Sequence, residues 1–246
     1  MYISQTNSTN TWLKEHPDCE VVWTSFQTAG RGQAGNSWES ENGKNVLFSM
    51  RIKRPEVAVD KQFALTMVAS LAVWDVVKGL LPDEEVKIKW PNDIYVGKGK
   101  ICGILIESRL ADNAVEEAIV GIGLNVNQTD WMDDAPNPTS VKIVSGKEED
   151  VAQVSSMLER AIREKMELLG NWGELKKQYM SALFRLNEVA QYAEREVSVV
   201  PSRILIGAQK EAFEARIIDV TEQGELVLQQ GGEMKKYHFK EIQFIL

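Results

Sequence analysis

The chain has 246 residues, of which 43% are hydrophobic and 26% charged, the composition of an ordinary soluble protein long enough for one full domain and a small one. Its net charge of −8 argues against binding nucleic acid through a broad basic surface. Two cysteines (Cys19, Cys102) and two histidines lie far apart, so no zinc-ligand spacing exists, and without a signal-like leader the expectation is free thiols and a cytoplasmic location.

The polar stretch 4–11 is rich in hydroxyls and amides and suits the cap of a short helix that starts at Trp12 and Leu13. A second reading has Ser8, Thr9 and Asn10 turning hydrogen-bonding groups into a pocket; taken alone, the cap is favoured. Residues 20–27 read as a strand and deliver the loop 27–38, which carries Gly30, Gly32, Gly35 and one cation, Arg31, with no large apolar side chain before Trp38. Such a loop has nothing to pack, and its exposed N–H groups suit an anion cradle. Its glycines match both the dinucleotide fingerprint and a phosphate-binding loop, yet both need a helix at the loop's end. Here a strand-like run, 46–52, follows instead, so only the cradle reading survives, as a flap across a sheet end.

Residues 57–81 read as the main core helix, stopped by Pro82. The apolar run 63–81 contains Asp75 and Lys78 and reads as a buried helix, not a membrane span. Alternation in 86–90 puts Val86, Ile88 and Trp90 on one face and Lys87 and Lys89 on the other, and Pro91 favours a strand end or bulge. After a turn at 97–100 an apolar strand, 101–107, returns, with Lys100 at its root; solvated charge and inward ammonium are evenly matched there. Residues 118–127 read as another core strand that carries Asn125 and Asn127 to one face, with turn chemistry as the alternative. Residues 130–146, with Pro136 and Pro138, read as an irregular connection. Asp150 caps a helix ending at Gly170, and 172–186 form a further helix. From about residue 188, short strands separated by turn signals suggest a small β-barrel.

Neither histidine sits in a convincing catalytic context. What remains is positive charge plus backbone donors, the equipment for bringing two anions together, as in attack of a carboxylate on the α-phosphate of ATP. An acyl-adenylate so formed hydrolyses readily unless a flap excludes water.

Ser8-Thr9-Asn10, Gly30-Arg31-Gly32, Lys89-Trp90-Pro91-Asn92-Asp93, the run from Lys100 to Glu107 and the run from Gly121 to Asn127 together resemble the biotin protein ligase family. They span most of residues 1–130; the Lys-Trp-Pro-Asn-Asp element followed by a lysine is the specific part. The resemblance implies an α+β fold: a mixed β-sheet flanked by helices, of class II synthetase type, over residues 1–187, and a small SH3-like barrel over 188–246. It implies formation of biotinoyl-5′-AMP from biotin and ATP-Mg²⁺ and transfer to a lysine of a biotin carboxyl carrier domain. Arg31 and Lys100 would be the catalytic cations. Ser8, Thr9, Asn10, Gln27, Gly30, Gly32, Gln33 and Gly103 would join them around biotin. Trp38, Lys89, Asn92 and Asn125, with Arg31, would serve ATP, and Asp93 would help place Mg²⁺.

Two departures stand out. The family's flap often carries further arginines where this chain has Gln33 and Asn36, which shifts the grip on the adenylate toward Arg31 and Lys100. The chain also begins almost at Ser8, so a DNA-binding repressor role is not expected, nor is a membrane partner; an exposed strand edge is left for a homodimer or for the carrier. The rival readings are a lipoate or octanoate ligase, disfavoured by the polar Ser8-Thr9-Asn10 cluster, and a non-catalytic ligand-binding protein, disfavoured by the presence of both Arg31 and Lys100.

Overall fold

The computed structural model describes residues 1–132, 137–200 and 203–246; Pro136, in the expected irregular connection, lies outside the described residues. Seven strands build the larger sheet: β1 (Tyr2–Thr6), β2 (Val21–Gln27), β3 (Val46–Lys53), β4 (Val86–Lys89), β5 (Asp93–Val96), β6 (Gly99–Ala111) and β7 (Ala114–Leu124), in the order β1-β2-β3-β7-β6-β5-β4. Only β1 and β2 run parallel; the other neighbours are antiparallel. The fold is therefore α+β with a mixed sheet, as expected.

Alternation in the central strands sorts the two faces of this sheet. Val46, Phe48, Met50 and Ile52 of β3 and Ala118, Val120, Ile122 and Leu124 of β7 join one core with α2 (Phe63–Leu80), α4 (Val151–Met166) and α5 (Trp172–Ala182). On the opposite face α1 (Thr9–Glu15) packs Leu13 against Val22 and Ile119. The buried Arg51 guanidinium of β3 ties down the end of α1, donating to the carbonyls of Leu13, His16 and Cys19 and pairing with Glu117. The segment of membrane-spanning length and apolarity, Val59–Leu80, contains the core helix α2, and its 18-residue apolar window is 67% buried inside the fold.

Several boundaries differ from the sequence reading. α2 begins at Phe63, not near 57: Val57 and Ala58 run extended and pair with Val115 and Ala114 at the start of β7. α5 stops at Ala182, because residues 183–184 line up beside Ile88 of β4. Residues 2–6 (Tyr-Ile-Ser-Gln-Thr) form an edge strand that apolar alternation could not reveal. The expected irregular connection contains α3 (Val141–Ser145), capped by Ser140 and ended by Gly146 at φ 73°.

The C-terminal strands are longer than expected. β8 (Val189–Val200) and β9 (Arg203–Val220) form an extended hairpin, joined by β10 (Leu226–Gln230), β11 (Glu233–Tyr237) and β12 (Ile242–Phe244) in a five-stranded antiparallel sheet, β11-β10-β9-β8-β12, the arrangement expected of a small barrel. Its apolar face continues the main core through Tyr192, Ile217, Leu226 and Phe244. At the seam, Trp90 Nε1 donates to Gly224 O at 3.0 Å and Lys176 pairs with Asp219 at 2.7 Å. The Trp90 ring also meets Phe239 edge-on, with centroids 6.3 Å apart.

Candidate active site

The site follows from the same alternation. Gly103, Leu105 and Glu107 of β6 share a face, and the register sets them opposite Gly123, Gly121 and Ile119 of β7. Three glycines thus meet at the centre of the sheet and leave a floor on which Leu105 is the one side chain among these four facing positions. A cavity of about 550 Å³ stands on it, within the range of small-ligand sites.

Trp38, at the end of the glycine loop, covers part of this floor. A Cβ on Gly123 would stand 2.5 Å from Trp38 Nε1, and one on Gly103 would stand 2.8 Å from Cζ3; any side chain there would lift the indole away. The loop folds back on itself as a flap, with Trp38 N donating to Gly30 O at 3.0 Å and Gly32 N to Asn36 O at 2.6 Å. No amphipathic helix follows it, only a 3₁₀ turn, Gln33–Gly35. Gly30 does not line the cavity; a Cβ on it would collide with the Trp38 carbonyl, so it permits the closure.

At one end of the cavity the groups are uncharged. Ser8, Thr9 and Asn10 are buried at the start of α1. Thr9 donates to Gln27 Oε1 from both N (2.8 Å) and Oγ1 (3.0 Å), and Ser49 Oγ lies 2.7 Å from Thr9 Oγ1 and 2.6 Å from Asn10 Oδ1. The Asn10 amide is fully engaged, its Nδ2 donating to Glu107 Oε2 at 2.9 Å and to Leu105 O at 3.3 Å. Among the described residues, the Ser8 hydroxyl and the Gln27 amide nitrogen have no protein partner and are left for a ligand.

Cations mark the cavity's flap side and the root of β6. Lys100 Nζ pairs with Asp93 Oδ1 at 2.8 Å and lies 5.7 Å from the centre of a Trp38 ring. Its backbone is fixed by Asn137 O and Thr139 N, at 2.7 and 2.9 Å. Arg31 Nη2 pairs with Glu107 Oε2 at 3.0 Å and reaches Thr11 Oγ1 at 3.3 Å. Asn92 is buried and donates to Ile104 O at 2.6 Å. Asn125 donates to Thr139 O at 2.9 Å, and its Oδ1 is buried without a partner, as is Trp38 Nε1. These are two buried polar atoms of cavity-lining residues that the described residues leave unsatisfied, as they leave four others elsewhere in the fold.

Of the residues singled out in the sequence, Ser8, Thr9, Asn10, Gln27, Arg31, Gly32, Gln33, Trp38, Asn92, Asp93, Lys100, Gly103 and Asn125 all line this cavity. Lys89 does not. Its ammonium lies 3.3 Å from Tyr95 OH and 5.3 Å from the Phe244 ring centre, at the seam with the second sheet, where burial lowers its pKa. The expected pairing of Asn125 with Asn127 on one strand face also fails. β7 ends at Leu124, and Asn127 clasps Glu149 through both backbone groups. Ser49, Trp131, Phe239 and Glu107 were not foreseen. Glu107 falls on the face of Gly103 and Leu105 by simple alternation, and Ser49 is a lone hydroxyl in an apolar strand; Phe239 has no local signal. Among the described residues no group of three His, Cys, Asp or Glu side chains gathers to hold a metal.

The model for the biotin/lipoate A/B protein ligase family matches residues 2–125. The biotin–[acetyl-CoA-carboxylase] ligase of Mycobacterium tuberculosis is 31% identical over 94% of this chain and 83% of that protein. The bifunctional ligase/repressor BirA of Bacillus subtilis is 37% identical over 56% of this chain, and the match spans 43% of its own length. Among solved structures, a biotin protein ligase from Aquifex aeolicus in complex with biotin and ATP superposes with a TM-score of 0.76 at 23% identity, covering 99% of this chain and 97% of that one; this likeness is one of fold.

Proposed function

The chain belongs to the biotin/lipoate A/B protein ligase family, and from that premise we propose that it is an ATP-dependent biotin protein ligase acting in the cytoplasm. It forms biotinoyl-5′-AMP from biotin and ATP, then transfers biotin to a lysine of a carboxyl carrier domain. The observation that carries this reading is a single cavity that joins an uncharged hydroxyl and amide end to two cations over a glycine floor. A ureido ring needs neutral donors and acceptors, and the free Ser8 hydroxyl and Gln27 amide nitrogen offer them. An aliphatic chain would offer those groups no hydrogen-bond partner, which disfavours lipoate or octanoate.

In the first step a carboxylate oxygen of biotin attacks the α-phosphorus and pyrophosphate leaves. The two anions repel, and Arg31 and Lys100 offset that repulsion while fixed protein dipoles replace water. Trp38 and the orphan acceptor Asn125 Oδ1 receive the base end, the latter taking an N–H. In the second step a carrier lysine amine attacks the acyl carbon and AMP leaves; the flap keeps water away in between. Magnesium fits as a companion of the triphosphate, since it takes most of its ligands from phosphates and water. Asp93 is the carboxylate beside Lys100 that would meet it, and the ion would neutralise phosphate charge.

Residues 1–187 form the catalytic domain and 188–246 the small second domain in this proposal, with Phe239 closing one wall of the cavity. DNA is not a partner, which a gel-shift would check. The outer edge of β1 is open for a second copy of the chain, and sedimentation tests that. The decisive experiment is mass spectrometry of the protein after incubation with biotin, lipoate or octanoate plus ATP-Mg²⁺. Bound biotinoyl-5′-AMP and biotin-dependent pyrophosphate release are expected; preference for lipoate or octanoate would replace the substrate, and no adenylate at all would leave a binding protein.

A further inference from the structure

Arg31 is the one charged side chain between Gln27 and Trp38, yet it is not loose in the cavity mouth. Its Nη2 is held by Glu107 at 3.0 Å and Thr11 at 3.3 Å, and its Nε and Nη1 have no partner among the described residues. The same Glu107 carboxylate accepts from Asn10 Nδ2 at 2.9 Å and pairs with Lys14 at 2.8 Å. One carboxylate, grounded on the rigid central strand β6, thus joins the uncharged end of the cavity to the arginine of the flap. Its side chain is only 24% exposed. Burial by itself would raise its pKa, but hydrogen bonds from Lys14 and Asn10 and the charge of Arg31 hold it below the usual carboxylate range.

We infer that Glu107 is a positioning residue: it anchors one nitrogen of Arg31 so that the remaining N–H groups meet the reacting anions in a fixed direction, and through Asn10 it ties that direction to the uncharged end of the cavity. The inference rests on the ligase reading of the site. Electrostatics and positioning predict opposite signs for its removal. A carboxylate near the anions repels them, so charge alone predicts that Glu107→Gln raises the rate of adenylate formation. Anchoring predicts a fall, because a long arginine side chain released from its anchor regains rotamer freedom that the transition state must remove.

The test measures biotin-dependent pyrophosphate release in wild type, Glu107→Gln, Arg31→Ala and the double variant. Wild-type activity is the control for the ligase reading; if the wild type is inactive, that reading fails, and the inference with it. With an active wild type, Glu107→Gln should lower kcat by roughly 10- to 100-fold, the scale of a misplacement near 1 Å, with the biotin KM changed less than threefold. In the Arg31→Ala background the same substitution should change the rate less than twofold. An unchanged or raised kcat overturns the inference. So does an equal loss in both backgrounds, the mark of a purely structural role. If Glu107→Gln does not fold, Glu107→Asp keeps the charge and shortens the reach by one methylene; it should still lose at least tenfold, and full activity in it overturns the inference as well.

Discussion

Gly123→Ala tests the glycine floor directly. The added methyl carbon would stand 2.5 Å from Trp38 Nε1 and 2.8 Å from Cζ2, against ordinary contacts of about 3.5–4.0 Å, so the ring must lift by roughly 1 Å. Gly123 sits in regular strand, paired with Leu47 and Gly103, and an alanine fits that backbone. The damage is therefore confined to the indole. Losing about 100 Å² of its contact would cost about 2.5 kcal/mol. Its Nε1, however, is buried without a partner, and returning that group to water offsets about 1–3 kcal/mol. The net change in stability is at most about 1.5 kcal/mol, a fall of less than about 6 °C in Tm for a chain of this size. Stacking of a base on an aromatic ring is worth about 1–3 kcal/mol, so the ATP KM should rise roughly 5- to 150-fold, with the biotin KM within threefold. Melting curves and pyrophosphate-release kinetics measure both. A variant with wild-type ATP KM refutes the reasoning, as does one whose biotin and ATP KM rise together.

Lys100→Ala removes one of the two cations and leaves Asp93 unpaired in a partly open setting; pyrophosphate release should fall by about 10²–10³-fold, with stability within about 1 kcal/mol, read by the same two assays. Glu107 gives a pH signature. Its folded pKa lies below the ordinary value, so its stabilisation is complete above that ordinary value and disappears as pH falls through the folded one. The Tm gap between wild type and Glu107→Gln should therefore be constant near neutrality and narrow on acidification below about pH 4.5; a gap that persists undiminished at pH 3 contradicts this. Cys102 is fully buried and its thiol is pushed well above the usual range by burial, with Asp93 adding and Lys100 opposing. Cys19 is partly exposed. Titration with a thiol reagent at pH 8 should find one fast cysteine, which Cys19→Ser removes, and the second only after denaturation.

Much of the architecture is local in origin and so was legible in the chain. The strand-like run 46–52, the apolar strand 101–107, the alternation in 86–90, the apolar run 63–81, the Asp150 cap and the turn glycines each act within a few residues. The glycine loop could be separated from nucleotide-binding loops because the missing helix is a fact about adjacent residues. Which residues line the cavity was legible in large part for the same reason: the segments at 8–10, 27–38, 92–103 and 121–125 each carry chemistry that core packing does not need.

The sequence by itself thus determined most strands of the larger sheet, the flap and much of the cast of polar groups. What it could not decide was which groups face one another. Register sets Gly103 beside Gly123, and only that pairing makes a floor on which the Trp38 indole lies. Lys89 and Lys100 are both lysines on or beside strands, yet one turns to the aromatic seam at Phe244 and the other to Asp93 in the cavity. Phe239, distant in the chain, reaches the cavity because Trp90 docks the second sheet through Gly224. Glu107 could be placed on a face by counting residues, but its bond to Arg31 spans 76 positions. Hydrogen bonds and ion pairs act over a few ångströms in space, not along the chain. The contacts of Trp38, Arg31 and Glu107 therefore exist only once the sheet has brought their strands together.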